Sequence, residues 1–355
     1  MGRRAREVGD RACRSVTLKD VARYAGVSPM TVSRVVNGRE YASDLTRKTV
    51  MRAVSHLGYS PNLAARSLAG ARTERLAILY ADPSPAYLNE LLVGALEATN
   101  RHAVTLVLEK CEPTIEASRL AIRRLLDGGV MGVALPPPLC ESPPILAGLK
   151  AVGLRFVAVG ASRPPEDVSC VGIDDFAAAR DMTRYLLELG HRRLGFIKGH
   201  PGQTASNERW RGFAAAVQEH RDLPPPTVAQ GFFTFRSGLD AARKLLSGAS
   251  SPTAIFASND EMAAAVIAEA HHRGLDIPND LTVVGFDDSP IAVNIWPGLT
   301  TVRQPLVQMA AEAVDILVRD LRAGCRKANQ GPNHLRIGHE LVRRESAAQL
   351  KAAVA

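Results

Sequence analysis

The hydrophobic pattern changes period near residue 75, and that change divides the chain into two kinds of structure. From Arg75 onward, short apolar runs alternate with longer amphipathic stretches. The runs "RLAILYA", "AVTLVLE", "GVMGVALPP" and "FVAVGA" come first, then "CVGIDD", "RLGFIKGH", "TVAQGFF", "AIFASND" and "TVVGFDD". Short apolar runs separated by helical patterns read as strands of a parallel sheet covered on both faces. Helices are expected near 87–101, 115–127 and 143–152, then near 176–189, 206–220, 237–247 and 261–273. The first four runs make one doubly wound lobe, and "CVGIDD" opens a second of the same kind. The chain then passes "LTTVRQPLVQMAAEAVDILVRDL" and ends its pattern in "LRIGHELVRRES".

Before residue 75 the stripes are helical. "TLKDVARYAG" puts Leu18, Val21, Ala22 and Ala25 on one face, with Thr17 as a cap and Gly26 as a stop. In "GVSPMTVSRVVNG", Ser28 caps a second helix, Pro29 suits its first turn, and Val32, Val35 and Val36 share a face until Asn37-Gly38. A third helix follows, capped by Ser43 or Asp44, striped by Val50, Ala53, Val54 and Leu57, and closed by Gly58.

Charge follows the same division. The first 75 residues hold 15 Lys+Arg against 6 Asp+Glu, and the remainder holds 29 against 30. A basic module before a neutral body implies a polyanionic partner, although a solvated basic tail gives some of the same asymmetry. Three short helices, the first two joined by a tight turn, fit the helix-turn-helix plan, whose second helix enters the major groove of DNA. With the valines inward, Pro29, Met30, Ser33 and Arg34 face outward. Arg34 offers two donors to guanine O6 and N7, and Met30 a methyl contact to thymine. Thr31, Asn37, Arg23 and Arg39 suit phosphate oxygens, and the capping residues Thr17 and Ser28 are counted with the DNA-binding set. The alternative is a solvated face on a small helical bundle.

Other classes find little support. No apolar run approaches the roughly 18 residues of a membrane span. "MGRRAREVGDRACR" has no apolar segment behind its charges, so no secretory signal is expected and the protein is expected in the cytoplasm. The five cysteines have no CxxC or Cys/His spacing and read as reduced thiols. No cofactor or metal is expected, because no histidine pair has ligand spacing and no G-x-S-x-G, HExxH or Walker loop occurs. "KGHPGQTAS" at 198–206 lacks the phosphate-loop spacing and reads as a cleft loop.

The run "TLKDVARYAGVSPMTVSRVVNG", followed by "TRKTVMRAVSHLGYSPNLAARSL", resembles the head of the lac repressor family (LacI/GalR) of bacterial transcription regulators. The resemblance implies an all-α helix-turn-helix head and an α/β body of two doubly wound lobes like those of periplasmic sugar-binding proteins. It divides the chain into a basic tail at 1–15, a head at 16–60, a hinge helix and linker at 61–73, a two-lobed effector and dimerisation body at 74–346, and a C-terminal tail at 347–355. It further implies a hinge helix that folds on specific DNA, carrying Asn62, Ala65 and the wedge Leu68, which enters between central base pairs in the minor groove. By position it makes Arg209, Asn259 and Asp287 effector contacts, Phe233 an aromatic platform, and Tyr87 a first-lobe contact, with Trp296 flanking the cleft. The strand ends, with Asp174 and Asp175 among them, also offer ligand groups, although the second carboxylates, Asp175, Asp260 and Asp288, read as helix caps rather than ligands. The partners implied are double-stranded palindromic operator DNA, a second copy of the chain, and a small-molecule effector of which a sugar is the commonest kind. An enzyme or a solute-binding protein on the same two lobes is the competing class. The C-terminal "AAQLKAAVA" has no sustained leucine heptad, so no tetramerisation coil is expected.

Overall fold

The structure is a computed structural model that describes residues 16–36, 43–57, 74–81, 84–248, 251–323 and 331–350. It separates into two compact units, Met1–Thr73 and Glu74–Ala355.

In the first unit α1 (Leu18–Ala25), α2 (Pro29–Val36) and α3 (Asp44–Leu57) close on a shared core. Val21, Val32 and Val50 are fully buried there, with Ala22, Val35 and Ala53 beside them. Leu18, Ala25, Val36, Val54 and Leu57 pack half-buried around that centre, so every residue of the three apolar stripes contributes. Eight-residue helices are marginal alone, and mutual burial of the stripes is what holds these two. Gly26, at φ 66°, makes the left-handed turn that ends α1 and donates its N–H to the Ala22 carbonyl. Asn37, Arg39, Asn62, Ala65 and Leu68 lie outside the described residues.

The second unit begins with β1 (Arg75–Tyr80), α4 (Pro85–His102), β2 (Thr105–Lys110), α5 (Ile115–Asp127) and β3 (Gly132–Leu135). It continues through α6 (Pro143–Ala151), β4 (Arg155–Val159) and β5 (Cys170–Gly172). Next come α7 (Asp175–Glu188), β6 (Leu194–Lys198), α8 (Thr204–Gln218), β7 (Thr227–Gln230) and α9 (Phe235–Leu246). β8 (Ala254–Ala257), α10 (Asp260–His272), β9 (Thr282–Val284) and the short α11 (Ile291–Asn294) follow. The last elements are β10 (Thr301–Arg303), α12 (Leu306–Ala323), β11 (His334–Arg336) and β12 (Glu340–Val342).

The strands form two parallel sheets, ordered β11-β5-β4-β3-β1-β2 and β7-β6-β8-β9, and an antiparallel ribbon of β10 with β12. The central strands β3 and β8 are buried along their whole length, which is why their sequences are unbroken apolar runs. One expectation is corrected. "CVGIDD" does not open the second lobe: its strand Cys170–Gly172 pairs with β4 and β11 in the first sheet. The run is too short to reveal its sheet, and only the pairing decides it. The chain therefore crosses between lobes after β5, returns before α12, which packs on β3, β4 and β5, and crosses again between β11 and β12.

Three apolar cores result. One joins the inner faces of both lobes, and one lies on the outer face of each sheet. In the joining core Phe196 meets Phe213 at 4.7 Å and Phe256 edge-on at 5.3 Å. α7 and α8 approach so closely that a Cβ at Gly212 would sit 2.1 Å from the Phe176 carbonyl oxygen. The segment after Ser346, expected as a tail, is tied down as far as Leu350, whose N–H donates to the Leu189 carbonyl.

Candidate functional site

The outward face of α2 is small and polar. Met30 is 64% exposed, Pro29 and Arg34 are exposed, and Ser33 is half-buried. Ser28 caps the helix by accepting the Thr31 N–H at 3.1 Å, and the two hydroxyls meet at 2.9 Å. Thr17 directs both its N–H and its hydroxyl to the Asp20 carboxylate. These hydroxyls therefore brace helix starts, and the exposed side chains left for reading bases are Met30 and Arg34. Arg34 makes no ion pair among the described residues. A groove between α1 and α3 was missed by the sequence reading; it carries Lys48 and Arg52 beside the stacked rings of Tyr24 and His56, 4.9 Å apart. The i, i+4 spacing of Lys48 and Arg52 was the available signal.

In the body, a cavity of about 740 Å³ opens between the lobes, at the carboxyl ends of β1, β6 and β8. Tyr87, Arg209, Phe233, Asn259 and Asp287, the positions carried over by resemblance, all line it. Trp296 does not: it is 79% exposed, beyond α11, and is not among the lining residues.

Arg209 is the centre of the site. It projects from α8, is only 5% exposed, and stacks its guanidinium 3.6 Å from the centroid of the Phe286 ring. Its Nε donates to Asp175 at 2.8 Å and its Nη1 to the Ser258 carbonyl at 2.6 Å, with Asp287 at 3.7 Å. Nη2 has no partner among the described residues, so the fork is held from one side and open on the other.

The caps fall on other members of the strand-end pairs than expected. Asp174 and Asn259, the first members, cap α7 and α10, accepting N–H groups from Ala177 and Met262. The second members are not caps. Asp175 holds Arg209; Asp260 is buried and accepts from Ser289 and Thr301; Asp288 pairs with Arg303 and Arg344. Asn259 keeps its role at the cavity, yet its Nδ2 also donates to the Phe233 carbonyl at 3.0 Å. That bond fixes the platform residue. Phe233 sits at φ 63°, and its ring fills the space a side chain at Gly199 would occupy, where a Cβ would lie 2.0 Å from ring carbon.

Of the four non-glycine residues at positive φ among the described residues, Phe233, Asp287 and Asp288 lie at or beside this cavity. Each such residue costs on the order of 1–3 kcal/mol, and such costs concentrate at functional sites. Burial raises the Asp287 carboxyl to about 6 against the opposing pull of Arg209 and of the Gln304 amide, which donates to it at 2.6 Å. Burial also pushes the Tyr87 hydroxyl well above its usual range, so it stays a neutral donor. Gln304 and Glu141 were not foreseen as site residues, and Asp175 was read as a helix cap. Glu141 reaches from the first lobe to α8, where it accepts the Thr204 N–H at 2.8 Å and the Thr204 hydroxyl. Nothing about a lone Glu after a proline run marks it in the sequence. Among the described residues no cluster of His, Cys, Asp and Glu could hold a metal ion, and no helix is long and apolar enough to cross a membrane.

Residues 17–62 match the family of bacterial regulatory proteins called lacI, and residues 183–347 match a periplasmic binding protein-like domain. The chain is 32% identical over 308 residues to catabolite control protein A of Priestia megaterium, covering 86% of this chain and 92% of that one. It is 35% identical over 313 residues to the HTH-type transcriptional regulator CelR of Thermobifida fusca, with the same coverages. Among solved structures it is similar to a transcriptional regulator CelR–cellobiose complex, with a TM-score of 0.71 and 31% identity over 93% of this chain and 99% of that one. It is also similar to the lac repressor dimer bound to operator and the anti-inducer ONPF, with a TM-score of 0.72 and 26% identity over 94% and 100%. These relatives are regulators and not enzymes, and a helix-turn-helix head joined to a two-lobed binding body is what they share with this chain. The protein belongs to the lacI family of bacterial transcriptional regulators.

Proposed function

We propose that the protein is a repressor that acts in the cytoplasm, binds a palindromic operator as a homodimer, and is switched by a sugar held between the two lobes of its body. The observation that carries the effector reading is the half-open guanidinium of Arg209. Asp175 and the Ser258 carbonyl anchor it on one side, and Nη2 is left for a ligand in a cavity shared with Phe233, Tyr87 and Asp287. A flat ring beside fixed donors and acceptors suits a pyranose, whose apolar face stacks while its hydroxyls bond in pairs. One relative's structure is a complex with cellobiose, which supports the same class.

On DNA, Arg34 pairs with a guanine edge, Met30 touches a neighbouring base, and Pro29 and Ser33 shape the fit. Thr17, Ser28, Thr31 and Asn37 position the head on phosphates. Asn62, Ala65 and the wedge Leu68 act from the hinge in the minor groove. One head reads one half-site, so two-fold symmetry in the protein requires it in the operator. Effector and operator are then linked: a sugar that favours one arrangement of the lobes changes operator affinity by its difference in affinity for the two arrangements.

Selection of bound duplexes from a random library tests this, followed by anisotropy titration of the selected site with and without sugars. A palindromic consensus whose affinity changes at least fivefold with one sugar is expected. A consensus without dyad symmetry removes the dimer reading, and a response confined to nucleobases removes the sugar.

A further inference from the structure

The cavity is larger than one sugar ring requires. At about 30 Å³ per water-sized group, the roughly twelve heavy atoms of a hexose fill under about 360 Å³. That is half of the 740 Å³ between the lobes. The buried groups Arg209, Asn259 and Gln304, with the half-buried Asp287, occupy one part of the lining. The exposed lining residues form a mouth with a different character: Phe232 and His200 from the second lobe, Lys110 and Glu112 from the first.

Phe232 is 48% exposed, and exposure of a large apolar ring means little by itself. Here the backbone that carries the ring is held in place. The Phe232 N–H donates to Ser237 Oγ at 2.9 Å, the Phe233 carbonyl is tied to Asn259, and the Gln230 amide donates to the Gly199 and Gly231 carbonyls. Consecutive residues of an extended chain point to opposite sides. The positive φ at Phe233 breaks that rule, and both phenylalanines line the cavity. Both rings therefore face one cavity from a fixed stretch of backbone. Beside the outer one, the His200 ring sits edge-on at 5.8 Å, and its Nδ1 accepts the Gly202 N–H at 3.1 Å, which leaves Nε2 to carry the proton of the neutral ring. A donor, a carboxylate acceptor from Glu112 across the gap, and an aromatic face are the elements that bind a sugar ring.

We propose that the effector is a two-ring carbohydrate, a disaccharide or the end of a linear oligosaccharide, whose first ring lies on Phe233 beside Arg209 and whose second ring lies on Phe232 with His200 and Glu112 at its hydroxyls. The inference rests on the sugar reading above and names the size of that ligand. Calorimetric titration of the full-length protein with cellobiose, maltose and sucrose, each beside its component monosaccharides, tests it. The best-bound disaccharide binds at least about a hundredfold more tightly than its monosaccharides. Phe232→Ala lowers that affinity about tenfold, the scale of one aromatic contact, and leaves monosaccharide binding within twofold. Phe232→Trp restores the disaccharide. Monosaccharides that bind as tightly as disaccharides overturn the inference and leave the sugar reading standing, as does an equal loss for both in Phe232→Ala. Absence of binding by every sugar in the set overturns the sugar reading and this inference together.

Discussion

Replacing Asp287 by Asn measures what the cleft charge costs the fold. The free carboxyl of an unfolded chain titrates near 3.9, and burial moves Asp287 to about 6 even with Arg209 at 3.7 Å and Gln304 at 2.6 Å pulling the other way. A carboxyl raised on folding holds its proton in the native state between about pH 4 and pH 6 while the unfolded chain has released it. Stability is therefore present below about pH 4 and lost as pH rises through 6. At about 1.4 kcal/mol per pKa unit, the loss is about 3 kcal/mol at neutral pH. Asn keeps the shape, accepts the Gln304 N–H, and tolerates the φ of 112° as well as Asp does. Neutralising this site also relieves Asp260, whose carboxyl is raised first by burial and next by the Asp287 charge. Asp287→Asn should then stabilise the ligand-free protein by up to about 3 kcal/mol at pH 7.5, a rise of about 6–10 °C in Tm, and by almost nothing at pH 4. Thermal unfolding of both proteins from pH 4 to pH 8 provides the comparison. The same variant should lose about 10- to 100-fold in effector affinity, the range for a hydrogen bond to a charged group. A variant that is less stable than the parent by the same amount at every pH refutes the reasoning, because Asp287 would then be a net structural partner of Arg209.

Arg34→Ala should weaken selected-site binding by about 10- to 100-fold and random DNA by much less; an equal loss on both, read by anisotropy, makes Arg34 a phosphate contact. Gly199→Ala should displace the Phe233 ring, whose carbon lies 2.0 Å from the added Cβ, and lower effector affinity at least tenfold while the head still binds DNA; unchanged calorimetric affinity removes Phe233 as a platform. Glu141→Ala removes the acceptor that first-lobe residues offer to Thr204, and small-angle scattering of the ligand-free protein should report wider lobe separation; an unchanged profile shows that the contact does not hold the lobes.

The α/β periods were legible because parallel sheets bury whole strands, and β3 and β8 are apolar at every position. The head was legible for the converse reason: each valine of α2 had to face a partner, and the polar residues between them were left for the outside. What escaped was pairing between distant segments. Cys170–Gly172 reads as a strand, but only its register with Arg155–Val159 and His334–Arg336 assigns it to the first sheet. The carboxylate pairs failed for a related reason. Any Asp beside a helix start has the chemistry of a cap, and the choice between Asp174 and Asp175 depends on where Arg209 arrives from 34 residues away. Trp296 shows the limit of position alone, since its side chain is exposed and not among the cavity's lining residues.

An effector held as proposed would act on the same helix as the lobe contact. Arg209 and Thr204 both belong to α8, the first held against Asp175 and open to the cavity, the second gripped by Glu141 from the first lobe. The Thr204 hydroxyl also receives the Ser162 N–H at 3.2 Å, and the Ser162 hydroxyl donates to Asp175, so the first lobe touches both the start of α8 and the carboxylate that orients its arginine. A ligand that takes Arg209 Nη2 therefore acts on a rigid element whose other contacts include the opposite lobe. The differential required is small: a tenfold change in operator affinity needs about 1.4 kcal/mol between the two lobe arrangements, the scale of one hydrogen bond made in one and lost in the other. The Glu141 to Thr204 contact is one such bond between lobes: the Glu141 carboxylate accepts both the Thr204 N–H, at 2.8 Å, and the Thr204 hydroxyl. An opening that broke those bonds would leave the carboxylate to water, and closure would restore them. A ligand bridging the lobes need only favour that contact to bias the whole body, which is why strong binding at Arg209 and a modest lobe preference suffice together for a switch.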